Sequence, residues 1–265
     1  MESAQQRNDT SDAIIERKVD IGDRYLTLIE MGQGQPTVIL EGNLGSSHTS
    51  WSTLQPALAA FTHVISYNRA GQGTSHPATS PRTCQHMVDD LSALLQNAQL
   101  PGPYILVGHA FGAMNSLLYA HQHPTTTAAV VLLDPMHPDW QQRMRDTLPE
   151  PIVGEDAEIT RFRHHFVTEV EDPTTNAECA HFQNCNEQIR AIDSIGDIPL
   201  VIISAAEPGL PLPYAQLWKS LQKEFLSLSP NSTLITAQES GPEIQDDQPQ
   251  LVSNTISHII RGLQQ

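Results

Sequence analysis

Strand-forming apolar residues interleaved with polar ones first appear near the N-terminus. Residues 13–21 (AIIERKVDI) and 24–31 (RYLTLIEM) are two such runs. Only Gly22 and Asp23 separate them, and this is a typical turn pair. The pattern predicts a hairpin of two strands.

Farther along, short apolar runs alternate with segments of helical spacing. The runs predict strands at 37–42, 63–70, 104–108, 128–134, 199–206 and 232–237. Helices are predicted over 82–99, 110–123, 214–226 and 249–263. Continuous apolar strands that alternate with amphipathic helices are typical of a mostly parallel sheet with helices on both faces. The predicted fold class is therefore α/β.

One long segment interrupts this alternation. Residues 138–196 are rich in Arg, His, Glu and Pro and contain no clear strand. They predict a helical lid inserted over the C-terminal edge of the sheet. Residues 1–12 are polar and predict a flexible tail. The core then consists of residues 13–137 and 197–265.

Charge and hydropathy narrow the range of partners. Fourteen basic and thirty acidic residues give a net charge of −16, which argues against nucleic acid or an anionic membrane as the main partner. The longest apolar runs, about seven residues, fall far short of a membrane span, and the N-terminus lacks the apolar region of a signal peptide. We expect a soluble, cytoplasmic protein that binds a small molecule, in an oligomeric state that the sequence leaves open.

The three cysteines do not suggest a disulfide scaffold, because their number is small and odd. Cys179, His181 and Cys185 are close in sequence, but a zinc site would need a fourth ligand at matching spacing. We expect an ordinary lid segment with at most one local disulfide, and neither a metal nor another cofactor.

Residues 106–120 (LVGHAFGAMNSLLYA) predict a strand, a sharp turn and a helix. The turn from Gly108 to Gly112 (GHAFG) has the G-x-S-x-G spacing of a nucleophile elbow, but Ala110 stands in the nucleophile position. The two glycines permit the tight turn and close packing of helix on strand. A methyl group cannot form an acyl-enzyme.

Five segments in order resemble the α/β-hydrolase superfamily over nearly the whole chain. They are 38–51 (VILEGNLGSSHTSW), 65–75 (ISYNRAGQGTS), 102–120 (GPYILVGHAFGAMNSLLYA), 130–139 (VVLLDPMHPD) and 239–249 (ESGPEIQDDQP). Asn68 replaces an aspartate that is usual in the second segment. The resemblance implies an α/β-hydrolase fold with an inserted helical lid.

The resemblance also implies a degenerate catalytic triad. Ala110 stands where the family has its serine, and Pro242 stands where the family has histidine in an S-G-H sequence. The acid position falls on Asp134 or on Glu207, and Asp134 is preferred because residues 130–139 closely match family exit loops. Loss of both nucleophile and base favours natural divergence over a single engineered serine-to-alanine change.

By the same resemblance, the backbone N–H groups of Leu44 and Phe111 form the oxyanion hole. Asn43 replaces a glycine that is usual there. Its amide is expected either to bind a ligand carbonyl or only to tolerate a left-handed backbone. Paired N–H donors can bind a carbonyl, enolate or carboxylate oxygen without any nucleophile.

Several histidines lie in segments predicted to border the pocket. His48 is in the oxyanion loop, His109 is on the elbow and His137 follows Asp134 by three residues. His164 and His165 are in the lid segment. His137 is the best substitute base, and an Asp134–His137 acid–base pair is the resulting hypothesis.

Three functions follow as expectations. The first is a non-hydrolytic enzyme, of the isomerase, cyclase or lyase type, acting on a small, fairly apolar carbonyl compound. The second is a catalytically silent protein that binds a ligand or a partner. The third is a serine esterase or lactonase inactivated at Ala110.

Overall fold

A computed structural model describes residues 13–147, 154, 156–157, 159–161, 177–212 and 214–264. In this part of the chain an eight-stranded sheet lies at the centre. Its strands are β1 (Ile15–Asp20), β2 (Tyr25–Met31), β3 (Thr37–Glu41), β4 (Val64–Tyr67), β5 (Tyr104–His109), β6 (Thr127–Leu133), β7 (Leu200–Ala205) and β8 (Ser232–Ala237).

The strand order is β1-β2-β4-β3-β5-β6-β7-β8. The predicted hairpin is confirmed, since β1 pairs with β2 in antiparallel register, and β2 is antiparallel to β4. All other pairs are parallel. The sheet is therefore mostly parallel, as predicted, and each βα connection at its C-terminal edge can contribute to a site there.

The helices of the described residues are α1 (Leu54–Ala59), α2 (Cys84–Asn97), α3 (Gly112–Gln122), α4 (Trp140–Thr147), α5 (Phe182–Arg190), α6 (Tyr214–Glu224), α7 (Ile244–Asp247) and α8 (Pro249–Leu263). The four helices predicted at stated positions, α2, α3, α6 and α8, agree with the sequence to within a few residues. Helix α2 begins at Cys84 because the Thr83 side chain accepts the N–H of His86 as an N-cap. The short α1 and α7 were not predicted, since six and four residues are too few for a helical period to be recognised.

Helices cover both faces of the sheet, which confirms the predicted α/β class. One apolar cluster joins the sheet to α2, α3 and α5, through residues such as Leu91, Leu117 and Ile189. The other joins it to α1 and α8, through residues such as Leu58 and Ile256. Strand residues alternate between the two clusters, so β5 is buried on both faces.

Within the predicted lid, residues 138–196, the described part contains α4 and α5. Helix α4 packs on α6, and α5 packs on α2 and α3. The lid boundaries stay a prediction. The expected tail at residues 1–12, and His164 and His165, lie outside the described residues.

Two features are absent from the described residues. No helix among them is long and apolar enough to cross a membrane. No three of their His, Cys, Asp and Glu side chains converge in a way that could hold a metal ion.

Candidate functional site

The turn between β5 and α3 has elbow geometry. Ala110 lies at its apex with φ of 48°, a left-handed conformation that is unusual for a residue with a side chain. A Cβ on Gly112 would lie 2.1 Å from the Glu41 carbonyl oxygen, and one on Gly108 would lie 2.6 Å from the Ala113 Cα. Both glycines are therefore required by close backbone packing, and Ala110 projects a methyl group from the apex.

The two N–H groups assigned to an oxyanion hole do lie together, but a protein side chain already binds them. The Asn43 amide oxygen accepts the N–H of Leu44 at 2.8 Å and the N–H of Phe111 at 3.3 Å. Asn43 is not among the described residues with positive φ, so the left-handed explanation for this residue is wrong. The expectation of donors open to a ligand is corrected, because here the Asn43 amide oxygen occupies the place of an oxyanion.

A buried arginine holds the Asn43 loop in place. The Arg69 guanidinium donates to the carbonyl oxygens of Gly42 at 2.8 Å and Asn43 at 2.6 Å. It also forms a two-bond ion pair with Glu178, at 2.6 and 2.9 Å, and bonds Glu41 at 2.8 Å. Each nitrogen of the Arg69 guanidinium thus has an acceptor. Two of these acceptors are backbone carbonyl oxygens, so Arg69 holds the backbone of the Asn43 loop in position.

Glu41 and Glu178 complete this buried ion cluster. Glu41 accepts hydrogen bonds from the Tyr67 hydroxyl and from the Asn115 amide. Burial, and then the Glu41 charge, raise the pKa of Tyr67 well above its usual value. Burial alone would raise the pKa of Glu178, but Arg69 outweighs it and the pKa is lowered.

Sequence reasoning did not identify this cluster. Arg69 belongs to the quoted segment YNRAGQG, and a charged residue directly after an apolar strand was the available signal. Glu178 carried no such signal, because it is 109 positions from Arg69.

His48 is held by the residue that replaces the usual aspartate. The Asn68 side-chain oxygen accepts the backbone N–H of His48 at 2.7 Å, and the His48 Nδ1 atom lies 3.1 Å from the same oxygen. The contacts that the structure shows for His48 are both with the Asn68 side chain, within the protein. A role of His48 in substrate binding stays a prediction.

His109 contacts the loop where the family places its histidine. Its Nε2 lies 3.1 Å from the Pro242 carbonyl oxygen, and its Nδ1 lies 3.8 Å from a Glu243 carboxylate oxygen. Burial lowers the pKa of His109 despite the nearby Glu243 charge, which keeps the ring neutral at pH 7. Nε2 then donates to Pro242, since a carbonyl can only accept.

Asp134 is buried at the end of β6, with φ of 41°. Its carboxylate accepts the N–H of Ala205 at 3.1 Å and the indole N–H of Trp218 at 3.0 Å. Burial raises its pKa to about 6, although both hydrogen bonds favour the charged form. The alternative acid Glu207 is solvent-exposed.

His137 does not pair with Asp134, and this part of the sequence-based hypothesis is wrong. Its Nδ1 accepts the N–H of Asp139 at 3.1 Å, and its Nε2 lies 3.7 Å from a Glu224 carboxylate oxygen. Its ring packs on Phe225, and burial lowers its pKa. The loop turns after Asp134, so three residues of sequence place His137 against α6 rather than against the carboxylate. A catalytic role for His137 stays untested.

Three polar side chains of the site are engaged by the protein itself. Asn43, His109 and Asp134 each bind a protein partner at the sheet edge around Ala110. In this conformation the N–H groups of Leu44 and Phe111 are bound to the Asn43 amide oxygen. A ligand carbonyl or carboxylate would have to displace that amide to reach the two donors.

Comparison with known proteins agrees with this fold. A family model described as α/β hydrolase fold matches residues 35–151. The uncharacterised protein YqjL of Bacillus subtilis is 27% identical over 231 residues, which are 87% of this chain and 86% of that protein. A protein of Gibberella zeae named as an AB hydrolase superfamily protein is 21% identical and covers 86% of this chain and 87% of its own.

A solved structure shows the same architecture. The loop variant of haloalkane dehalogenase DbeA from Bradyrhizobium elkanii superposes with a TM-score of 0.68 over 95% of this chain and 97% of its own, at 17% identity. Identity this low supports the fold alone.

Proposed function

Since the chain has the α/β-hydrolase fold and its matches support membership of that superfamily, we propose that it is a catalytically silent member that binds a ligand. The observation that carries the proposal is the Asn43 amide oxygen, which accepts both N–H groups of the oxyanion hole. A hydrolase needs those donors for the charge that develops on the substrate oxygen.

The positions of the nucleophile and base support the same proposal. Ala110 has no atom that can attack a carbonyl. Pro242 has no titratable group, and its carbonyl oxygen is engaged by His109. A ligand with a carbonyl or carboxylate oxygen would bind by taking the place of the Asn43 amide. The relatives named as hydrolases support the fold of this chain. Whether this chain hydrolyses anything has to be decided by experiment.

The deciding experiment measures hydrolysis of p-nitrophenyl butyrate and labelling by a fluorophosphonate. With the native protein, we expect p-nitrophenyl butyrate to hydrolyse no faster than it does without protein. We also expect the fluorophosphonate not to label the native chain. We expect Ala110→Ser to behave in the same way, because the serine would have no base at Pro242. Hydrolysis proportional to native protein would overturn the proposal. A labelled, active Ala110→Ser variant would instead favour the inactivated esterase.

Ligand binding has its own experiment. Asn43→Gly frees both N–H donors, so butyrate should raise the melting temperature of this variant more than that of the native chain. Sodium chloride at equal ionic strength controls for salt effects. An equal butyrate effect on both proteins would argue against this site as the carboxylate-binding position.

A non-hydrolytic enzyme is the second candidate, and Asp134 supports it. A buried carboxyl with a pKa of about 6 is suited to exchange a proton near neutral pH. Its hydrogen bonds to Trp218 and Ala205 occupy it in this conformation. This candidate requires that Asp134→Asn abolish turnover of a bound ligand while leaving its binding intact.

A further inference from the structure

Two helices of the predicted lid, α4 and α5, face each other across a cavity of about 390 Å³. A cavity of this size is in the range that binds small molecules. Residues three or four positions apart on a helix share a face, and one such face of each helix lines the cavity. The lining side chains of the two helices include Gln141, Arg145, Gln183, Asn186 and Arg190. Carboxamides therefore form much of the cavity wall.

Asn186 is a buried amide that the protein leaves without hydrogen bonds. Only 1% of the residue is exposed, and its side-chain oxygen has no partner among the described residues. Its side-chain nitrogen has no acceptor among them either. An unpaired buried amide is costly in a folded protein and calls for an explanation. A half turn about the last side-chain bond exchanges the two atoms, so this amide can present either an acceptor or a donor to the cavity.

A second amide of the cavity is only half engaged. Gln141 is buried, and its side-chain oxygen accepts the side-chain N–H of Gln183 at 3.1 Å, which links α4 to α5. Its side-chain nitrogen donates to no atom of the described residues. The cavity wall therefore offers one unused amide donor from α4 and one unpaired amide from α5.

The charged groups that line the cavity are already engaged. Arg190 donates to the Asp139 carboxylate at 2.5 Å and to the Pro138 carbonyl oxygen at 2.8 Å. Arg145 also has an interaction within the protein. A ligand anion would have to compete with Asp139 for Arg190, and a ligand cation would have to compete with Arg190 for Asp139. The cavity is therefore suited to a neutral ligand.

Other residues of α5 attach this helix to the core. The sulfur of Cys185, next to Asn186, accepts the backbone N–H of Cys84 at 2.8 Å. The side-chain oxygen of Gln188 accepts the backbone N–H of Gln85 at 3.0 Å. The Asn186 amide adds no hydrogen bond to this attachment, so the fold does not account for an amide at this position.

We propose that the cavity between α4 and α5 is a binding site for a small neutral carboxamide. A carboxamide has an N–H donor and a carbonyl acceptor on adjacent atoms. Its N–H donates to the Asn186 oxygen, and its carbonyl oxygen accepts the Gln141 side-chain N–H. A carboxylate of the same shape lacks the donor. The described lining residues include none of the elbow or of the oxyanion loop, so this site is separate from the proposed carboxylate position at Asn43.

The test uses butyramide and the full-length protein, with affinity measured by saturation-transfer NMR titration. We expect butyramide to bind the native chain with a Kd in the millimolar range, as is usual for so small a ligand. Butyrate has the same shape but carries a charge, and it should not displace butyramide. Because butyrate on Asn43→Gly tests the elbow separately, either site can fail without the other.

Variants show whether the two amides hold the ligand. Asn186→Leu keeps the shape of the side chain and removes the amide, so binding should weaken by at least about threefold. Its stability in urea should not fall, because no native hydrogen bond is lost. Gln141→Met should also weaken binding and serves if Asn186→Leu does not fold. Asn254→Leu, the same change on the exposed face of α8, should leave the Kd unchanged.

Three results would overturn the proposal. The first is that butyramide does not bind the native chain, which would leave the cavity to water. The second is an equal Kd for the native chain and for the cavity variants that fold. The third is displacement of butyramide by butyrate, which would place both compounds at one carboxylate-accepting site.

Discussion

Asn43 illustrates how one side chain can change what a turn does. Its amide oxygen satisfies two backbone donors that come from different loops, Leu44 beside it and Phe111 on the elbow. The backbone carbonyl of Asn43 is in turn bound by Arg69. The residue therefore links the oxyanion loop to the elbow as part of the folded structure.

Asn43→Ala should consequently destabilise the protein. Two backbone donors lose their acceptor in a half-buried place, which costs about 1–2 kcal/mol of unfolding free energy. Urea unfolding measures the loss. Asn254→Ala is the matched control, because Asn254 is exposed on α8, and its expected change is within about 0.5 kcal/mol. Equal effects of the two substitutions would contradict the linking role of Asn43.

Asp134 should make stability depend on pH. Its pKa rises from 3.8 to about 6 in the folded protein. An acid of this kind binds more protons folded than unfolded between those values, so its contribution to stability falls as pH rises from about 4 to about 6. The expected loss is up to about 3 kcal/mol relative to Asp134→Asn.

Unfolding of both proteins in urea from pH 4 to 8 measures this difference. Fluorescence of Trp218, whose indole donates to Asp134, should report the same titration near pH 6. The prediction fails if native protein and Asp134→Asn show the same pH dependence.

At the scale of elements, the elbow depends on close approach of α3 to β3. Gly112→Ala would place a methyl group 2.1 Å from the Glu41 carbonyl oxygen, so backbone must shift. We expect a loss of about 3 kcal/mol, at the upper end of the usual cost of overpacking, because the added methyl group meets backbone rather than a side chain. Thermal and urea unfolding test this.

Gly262→Ala supplies the control for that variant. It lies in α8 with no atom within 4 Å of the added Cβ. Alanine is the better helix former, so this change should be neutral or stabilise by up to about 1 kcal/mol. If the Gly112→Ala protein is as stable as the Gly262→Ala control, the elbow does not depend on the close approach of Gly112 to the Glu41 carbonyl oxygen.

The contact between the lid segment and the core depends on the Arg69–Glu178 pair. Glu178→Gln removes one charge of a buried two-bond pair, and we expect a loss of about 3 kcal/mol. Hydrogen exchange in α5, which follows Glu178 in sequence, should accelerate. Glu187→Gln, the same change on the exposed face of α5, should shift stability by no more than about 0.5 kcal/mol. Similar exchange rates in both variants would argue against this link.

At the scale of the whole molecule, the net charge of −16 governs long-range encounters. At pH 7 and low salt, like charge should keep the protein from anionic vesicles and from duplex DNA. Vesicle co-sedimentation and an electrophoretic shift measure this. Binding that weakens as salt is added would contradict the prediction and reveal a local basic surface.

Much of the architecture could be predicted from local patterns. Apolar runs and helical spacing placed strands such as β5 and helices such as α8 to within a few residues. This works because burial on one or two faces imposes a period on the sequence. The sequence also predicted the elbow, since the spacing of Gly108 and Gly112 reflects a turn that needs both glycines.

Contacts between distant residues were not predictable in this way. The expected Asp134–His137 pair relied on a separation of three residues, yet the chain turns His137 toward Glu224 and presents Asp134 to Trp218. The pairing of Arg69 with Glu178, and of Cys84 with Cys185, crosses about a hundred positions of sequence. The hydrophobic period of one segment indicates which of its residues are buried, but it does not indicate which distant residues they contact.

The sequence by itself determined the α/β architecture, the elbow and the methyl group at its apex. Only the tertiary structure decided that the Asn43 amide oxygen occupies both donors at that elbow, and that His109 engages the Pro242 carbonyl. The physical reason is that secondary structure follows from burial patterns within one segment, whereas hydrogen-bond partners depend on the three-dimensional position of loops from different segments.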